Sequence, residues 1–120
     1  MRAYEIVSYK RKKIVFVDLA NKNTGEIVIN LLEAQKEITG MPQNSVLILT
    51  DARNVVDNNE NSIAMKEFST RISPYVKAYA LVGPHGLRAV LLQAAAALTK
   101  HSARPFDNRS DAIDWLAECS

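Results

Sequence analysis

The chain has 120 residues, of which 48% are hydrophobic and 23% charged, an ordinary balance for one soluble globular domain spanning residues 1–120. Its net charge of +2 is too small to imply a nucleic-acid partner. The single cysteine, Cys119, excludes an internal disulfide and points to a reducing cytoplasm, and no apolar run approaches the ~20 residues that cross a bilayer.

In chain order, Ala3 to Tyr9 alternates loosely and predicts a strand. Lys10, Arg11, Lys12 and Lys13 form a polar connection, and Ile14 to Val17 a second strand ended by Asp18. Two strands this close make an antiparallel hairpin at the edge of the sheet. No signal peptide is expected, because the basic run at Lys10–Lys13 is followed by an apolar segment of only Ile14–Val17. The basic run is either a phosphate or lipid-headgroup patch or a solvated hairpin tip that discourages edge pairing; without interleaved aromatics the second reading is preferred.

Asn21 to Gly25 reads as a loop, with Thr24 as helix cap and Glu26 in the first turn. Ile27, Leu31, Ala34 and Ile38 share one helical face, and Gly40 with Pro42 ends it. Val46 to Leu49 is the next strand, followed by Thr50-Asp51-Ala52-Arg53 and a polar loop to Asn61. Asp57 and Glu60 have capping-box spacing. Ile63, Ala64, Phe68 and Ile72 mark a second helix that stops near Ser73-Pro74.

Val76 to Val82 is a near-continuous apolar run, the pattern of a strand covered on both faces. Gly83-Pro84-His85-Gly86 stops it. Leu87, Val90, Leu91, Ala94 and Leu98 then repeat at helical spacing. Ala103 to Phe106 predicts a short edge strand, where Pro105 is tolerated. Ser110 caps a last helix carrying Ile113, Trp115 and Leu116, with Asp111 and Asp114 near its start. The order of hairpin, helix, strand, helix, strand, helix, strand, helix predicts an α/β domain. Its four- to five-stranded sheet is mostly parallel, with the antiparallel strand at the N-terminal edge and about four helices.

Carboxyl ends of strands gather ligands in such sheets, which makes Asp18, Asp51 and Asp57 the first chemical candidates. Three carboxylates could hold a magnesium ion, but turn and cap roles account for all three. His85 stands before a helix with Arg88 in its first turn, an arrangement that attracts anions, yet it matches neither nucleotide-binding glycine pattern. Two histidines, His85 and His101, do not make a multi-histidine metal site. No cofactor is expected, and Cys119 lacks a base partner for nucleophilic work.

The stretches VKAYALVGPHGLRAVLLQ and RPFDNRSDAIDWLAE, with IVFVDLANKN before them, resemble STAS-like proteins. These are relatives of the anti-sigma-factor antagonists and, more distantly, of CRAL-TRIO lipid-binding domains. The matching residues are Gly86-Leu87-Arg88, Phe106-Asp107 and Trp115-Leu116. The resemblance implies a βα superhelix with strands in sequential order. It also implies a non-enzymatic module of bacterial cytoplasmic signalling. In the antagonists a serine preceded by aspartate, at the start of the helix after the central strand, is phosphorylated and so releases the partner. Here Asp57 takes the aspartate position, but Asn58 and Asn59 follow it, and Ser62 lies too far on.

The expected binding surface is Asp51, Arg53, Asp57, Asn58, Asn59 and His85. The expected partner is another protein or a second copy, with Ala94 to Ala97 a candidate self-association surface. The alternative is a carrier of a small apolar molecule or lipid, lined by the Leu87 to Leu98 helix. An enzyme or phospho-acceptor using the three aspartates is the third reading.

Overall fold

The chain begins with two strands joined by a two-residue turn. Strand β1 (Glu5–Tyr9) pairs antiparallel with β2 (Lys12–Asp18), and Tyr9 faces Lys12 across the turn. Lys10 and Arg11 both have positive φ, 50° and 67°, the backbone of the turns that match strand twist in tight hairpins. Half of the basic run therefore lies in β2 rather than in the connection. A two-residue turn needs no longer link, and Lys12 and Lys13 extend the ladder. The computed structural model describes residues 4–55, 58–83 and 102–119.

Helix α1 (Thr24–Ile38) follows, then β3 (Val46–Asp51), α2 (Asn59–Ile72), one 3₁₀ turn at Ser73–Tyr75, β4 (Val76–Val82), β5 (Ser102–Phe106) and α3 (Arg109–Glu118). The five strands lie in the order β1-β2-β3-β4-β5. β2, β3, β4 and β5 are mutually parallel, and only β1 runs the other way. This is the mostly parallel sheet read from the residues, in the sequential order that the resemblance implies. Three helices are described; the helix expected over Leu87 to Leu98, and with it Ala94 to Ala97, lies outside the described residues.

Two apolar layers sandwich the sheet. On one side the face of α1 made by Ile27, Leu31, Ala34 and Ile38 packs with Val15, Val17, Ile48, Tyr79 and Leu81. α2 joins the same layer through Met65, Phe68 and Ile72. On the other side α3 presses Ala112 and Leu116 against Ile14, Phe16, Leu47, Leu49, Ala78, Ala80 and Val82. β3 is buried along its whole length, which explains its unbroken apolar run.

The expected faces need two corrections. Ile63 is 58% exposed, and the buried stripe of α2 runs through Asn61, Met65, Phe68 and Ile72, spaced by four, three and four residues. Ile63 lies two residues from each of the first two, on the far side of the helix. In α3, Leu116 is fully buried, while Trp115 is half-buried against Phe106, ring centroids 5.5 Å apart.

All three helices start on an asparagine. Asn23 Oδ1 accepts from Glu26 N at 2.9 Å, Asn58 Oδ1 from Asn61 N at 2.8 Å, and Asn108 Oδ1 from Asp111 N at 2.9 Å. The expected caps Thr24 and Ser110 are instead helical residues. For α2 the cap is Asn58 rather than Asp57, which lies outside the described residues. The reason is shared: asparagine ranks with serine and aspartate as a cap, and here it stands one or two residues from the rejected choices.

Candidate functional site

The carboxyl ends of β2 and β3 lie side by side, with Asp18 in register with Asp51. The loops leaving them are stitched together. Leu19 N donates to Asp51 O at 2.9 Å, Asn21 N to Arg53 O at 3.1 Å, and Asn54 Nδ2 to Asn21 Oδ1 at 2.9 Å. Asn21 and Asn54 both adopt left-handed backbone, φ 62° and 59°, which asparagine tolerates better than most residues. On the other flank, Ala52 N donates to Val82 O, and Gly83 sits so close that an added Cβ would lie 3.4 Å from both Ala52 Cβ and Ala52 O.

Asp51 is the centre of this edge. Its side chain is 0% exposed, and a buried carboxylate needs partners. Arg53 supplies a fork, Nε at 3.0 Å from Oδ1 and Nη2 at 2.8 Å from Oδ2, and Arg53 N donates to Oδ1 at 3.1 Å. Arg109, from the first turn of α3, places Nε 2.6 Å from Oδ2. Burial by itself would raise the Asp51 pKa, but the hydrogen bonds from Arg53 and Arg109 outweigh it and hold the carboxyl below its usual range. Arg109 also reaches Asp18, Nη2 to Oδ2 at 3.6 Å, and lies over the Phe16 ring with its central carbon 4.5 Å from the centroid. One arginine thus ties α3 to the ends of β2 and β3.

The aspartates do converge, as far as Asp18 and Asp51 are concerned. The space between them holds a guanidinium, and Asp18 Oδ1 additionally accepts from Ala20 N at 3.0 Å. Among the described residues no three histidine, cysteine, aspartate or glutamate side chains are grouped to hold a metal ion.

Of the six expected site residues, four are described. Asp51 and Arg53 form the ion pair. Asn58 caps α2, and its Nδ2 donates to Thr24 Oγ1 at 3.3 Å, so the starts of α1 and α2 stand together. Asn59 is exposed in the first turn of α2. Asp57 and His85 lie outside the described residues. The residue that sequence reading missed is Arg109. It stands 58 positions from Asp51, and its only local signal was a basic side chain one residue after the cap of a helix, where the dipole disfavours it.

Two of the concave regions among the described residues bear on this site. An open groove of about 390 Å³ runs along α2, lined by Ile63, Lys66, Glu67, Thr70 and Arg71. A larger cleft of about 730 Å³ opens between β1, α1 and the start of α3, with Phe16, Asp18 and Arg109 in its wall. Among the described residues no helix is long and apolar enough to cross a membrane.

No family model and no curated protein matches the chain. A solved structure does. The crystal structure of an uncharacterised protein of the DUF3478 family from Shewanella loihica PV-4, with a SpoIIAA-like fold, superposes with a TM-score of 0.65. The match covers 95% of this chain and 92% of that one at 17% sequence identity. The sequential β1-β2-β3-β4-β5 sheet, its single antiparallel edge strand and this superposition together show that the chain has the SpoIIAA-like, or STAS-like, fold.

Proposed function

We propose that this chain is a non-enzymatic interaction module of bacterial cytoplasmic signalling, docking a protein partner on the start of α2 and the loop before it. The observation that carries the reading is Ile63. It is 58% exposed one turn beyond Asn58 and Asn59, beside the α2 groove and its charged rim of Lys66, Glu67 and Arg71. A large apolar side chain inside a polar rim is the composition of an interface centre.

Two features argue against chemistry, one at this edge and one at the far end of α3. Both oxygens of Asp51 are engaged by guanidinium groups, so it offers no free base or nucleophile. Burial, followed by the charge of Glu118, pushes the Cys119 thiol pKa up, away from the reactive thiolate. The phospho-switch of the antagonists has no counterpart at Asn58. An amide occupies the helix cap, and its oxygen and nitrogen are committed to Asn61 and Thr24.

The alternative, a small-molecule carrier, rests on the 730 Å³ cleft, which exceeds the roughly 300 Å³ of a ligand pocket. Half of its twelve lining residues are charged: Glu5, Asp18, Lys22, Glu26, Glu33 and Arg109. That wall suits a polar or amphiphilic molecule better than a purely apolar one.

Native mass spectrometry of the protein gently purified from its source separates the two. A stoichiometric protein partner that is lost in Ile63→Glu and in Asn59→Lys supports the module. A bound small mass that survives both changes and is lost in Ile29→Glu, in the cleft wall, supports the carrier and overturns the module.

A further inference from the structure

The two edges of the sheet differ. β5 is blunted: Pro105, paired with Leu81, contributes no backbone donor, and Arg104 beside it is exposed. β1 carries no such device along its middle. Its centre is Ile6-Val7-Ser8, uncharged, with Ile6 42% exposed, and among the described residues nothing pairs with its outer side. The two-residue turn makes Tyr9 and Lys12 the closing bonded pair, so bonded pairs recur at Val7 with Ile14 and Glu5 with Phe16. Ile6 and Ser8 therefore turn their backbone N–H and C=O groups outward.

Charge on this edge is polarised. One end is the turn, with Lys10, Arg11, Lys12 and Lys13. The other end carries more acidic than basic side chains: Glu5 is exposed, and Glu33 and Glu37 of α1, with Lys36, lie around Tyr4, whose hydroxyl donates to Glu37 Oε2 at 3.2 Å. A second β1 laid alongside in parallel would bring like ends together. Laid antiparallel, it sets each basic turn against the other copy's acidic end.

We infer that β1 is a homodimerisation edge, pairing antiparallel with β1 of a second copy about a two-fold axis at Val7. In that register Ile6 lies opposite Ser8 of the second copy and exchanges both backbone hydrogen bonds with it, and Glu5 lies opposite Tyr9, next to Lys10. Glu5, Val7 and Tyr9 share a face by strand alternation, so Glu5 meets the face on which Lys10 Nζ approaches the Asp114 carboxylate at 3.9 Å. The result is a continuous ten-stranded sheet. The basic turn, which at first sight only protects an edge, here selects orientation. This contact is separate from the α2 surface and leaves it free.

Sedimentation equilibrium from micromolar concentration to about 200 µM tests it, a range that reaches weak association. The wild-type chain is expected to sediment as a dimer whose Kd rises with salt. Ser8→Pro deletes an outward N–H that the monomer does not use, and should give a folded monomer, checked by circular dichroism. Glu5→Lys changes no backbone group and should raise Kd about tenfold. A wild-type chain that is monomeric throughout the range overturns the inference. So does a dimer unchanged by both substitutions, which would have its contact elsewhere.

Discussion

Arg109 Nε lies 2.6 Å from Asp51 Oδ2, across 58 residues of chain, and this contact joins the last helix to the central strand. Because the Asp51 side chain is fully buried, replacing it with an amide leaves the guanidinium groups of Arg53 and Arg109 with one neutral acceptor oxygen in place of a two-oxygen carboxylate. Asp51→Asn is therefore expected to lower unfolding free energy by about 2–3 kcal/mol at neutral pH, measured by urea titration.

The pH dependence of that difference has a defined sign. The folded-state pKa of Asp51 is depressed, so the unfolded chain takes up the proton first as pH falls. The stability gap between wild type and Asp51→Asn should be complete above the unfolded carboxylate value of about 3.9 and shrink as pH drops through the folded value. A gap that persists unchanged down to pH 2 would mean that shape, not charge, carries the effect of Asp51.

Tyr79 titrates in the opposite direction. Its side chain is 2% exposed, and its hydroxyl donates to Thr50 Oγ1 at 2.9 Å. Burial pushes its pKa up to about 12, against a smaller lowering by Thr50. A tyrosine whose folded pKa is raised contributes stability below the unfolded value of about 10, lost as pH rises towards 12. Tyr79→Phe should cost about 1 kcal/mol at pH 7 and flatten this alkaline loss. Absorbance near 295 nm should show Tyr79 ionising last, together with unfolding.

Asn58 tests the cap against the switch. Asn58→Ala removes both the bond from Asn61 N and the tie to Thr24, and should destabilise by about 1–2 kcal/mol. Asn58→Ser keeps a capping oxygen and should cost no more than a few tenths of that. Equal losses for the two, read by thermal unfolding, would rule out the cap as the reason asparagine stands there.

At the hairpin, Arg11 holds φ 67° without being glycine. Arg11→Gly is expected to stabilise the chain by up to about 1 kcal/mol, because left-handed backbone is costly for other residues. A destabilised variant in the same urea titration would show that the Arg11 side chain makes contacts worth more than that strain.

Much of the fold was legible from periodicity. Ile27, Leu31, Ala34 and Ile38 lie on one face in sequence and are buried in the structure, because a helix repeats every 3.6 residues wherever it is. The near-continuous apolar run from Val76 to Val82, broken only by exposed Lys77, announced a strand covered on both sides, because alternate residues of a strand face opposite layers. Where two rotations of a helix both looked apolar, as with Ile63 and Met65, only the packing of α2 against α1 and the sheet decided which was inside.

The site divides along the same line. That Asp18 and Asp51 end neighbouring strands follows from the order of elements, since parallel strands put their carboxyl ends together. That Asn58 holds a helix start is a property of four consecutive residues, within reach of sequence rules even though Asp57 competed for the role. Arg109 is different in kind. Its partners come from β2 and β3, far from α3 in sequence, and a side chain 39% exposed leaves no hydropathy trace. The chain by itself determined the alternation of strands and helices and which faces are apolar, because those depend on neighbours in sequence. Only tertiary structure decided that an arginine guanidinium sits between the two aspartates at the end of the sheet, because that depends on which distant residues burial forces to neutralise one another.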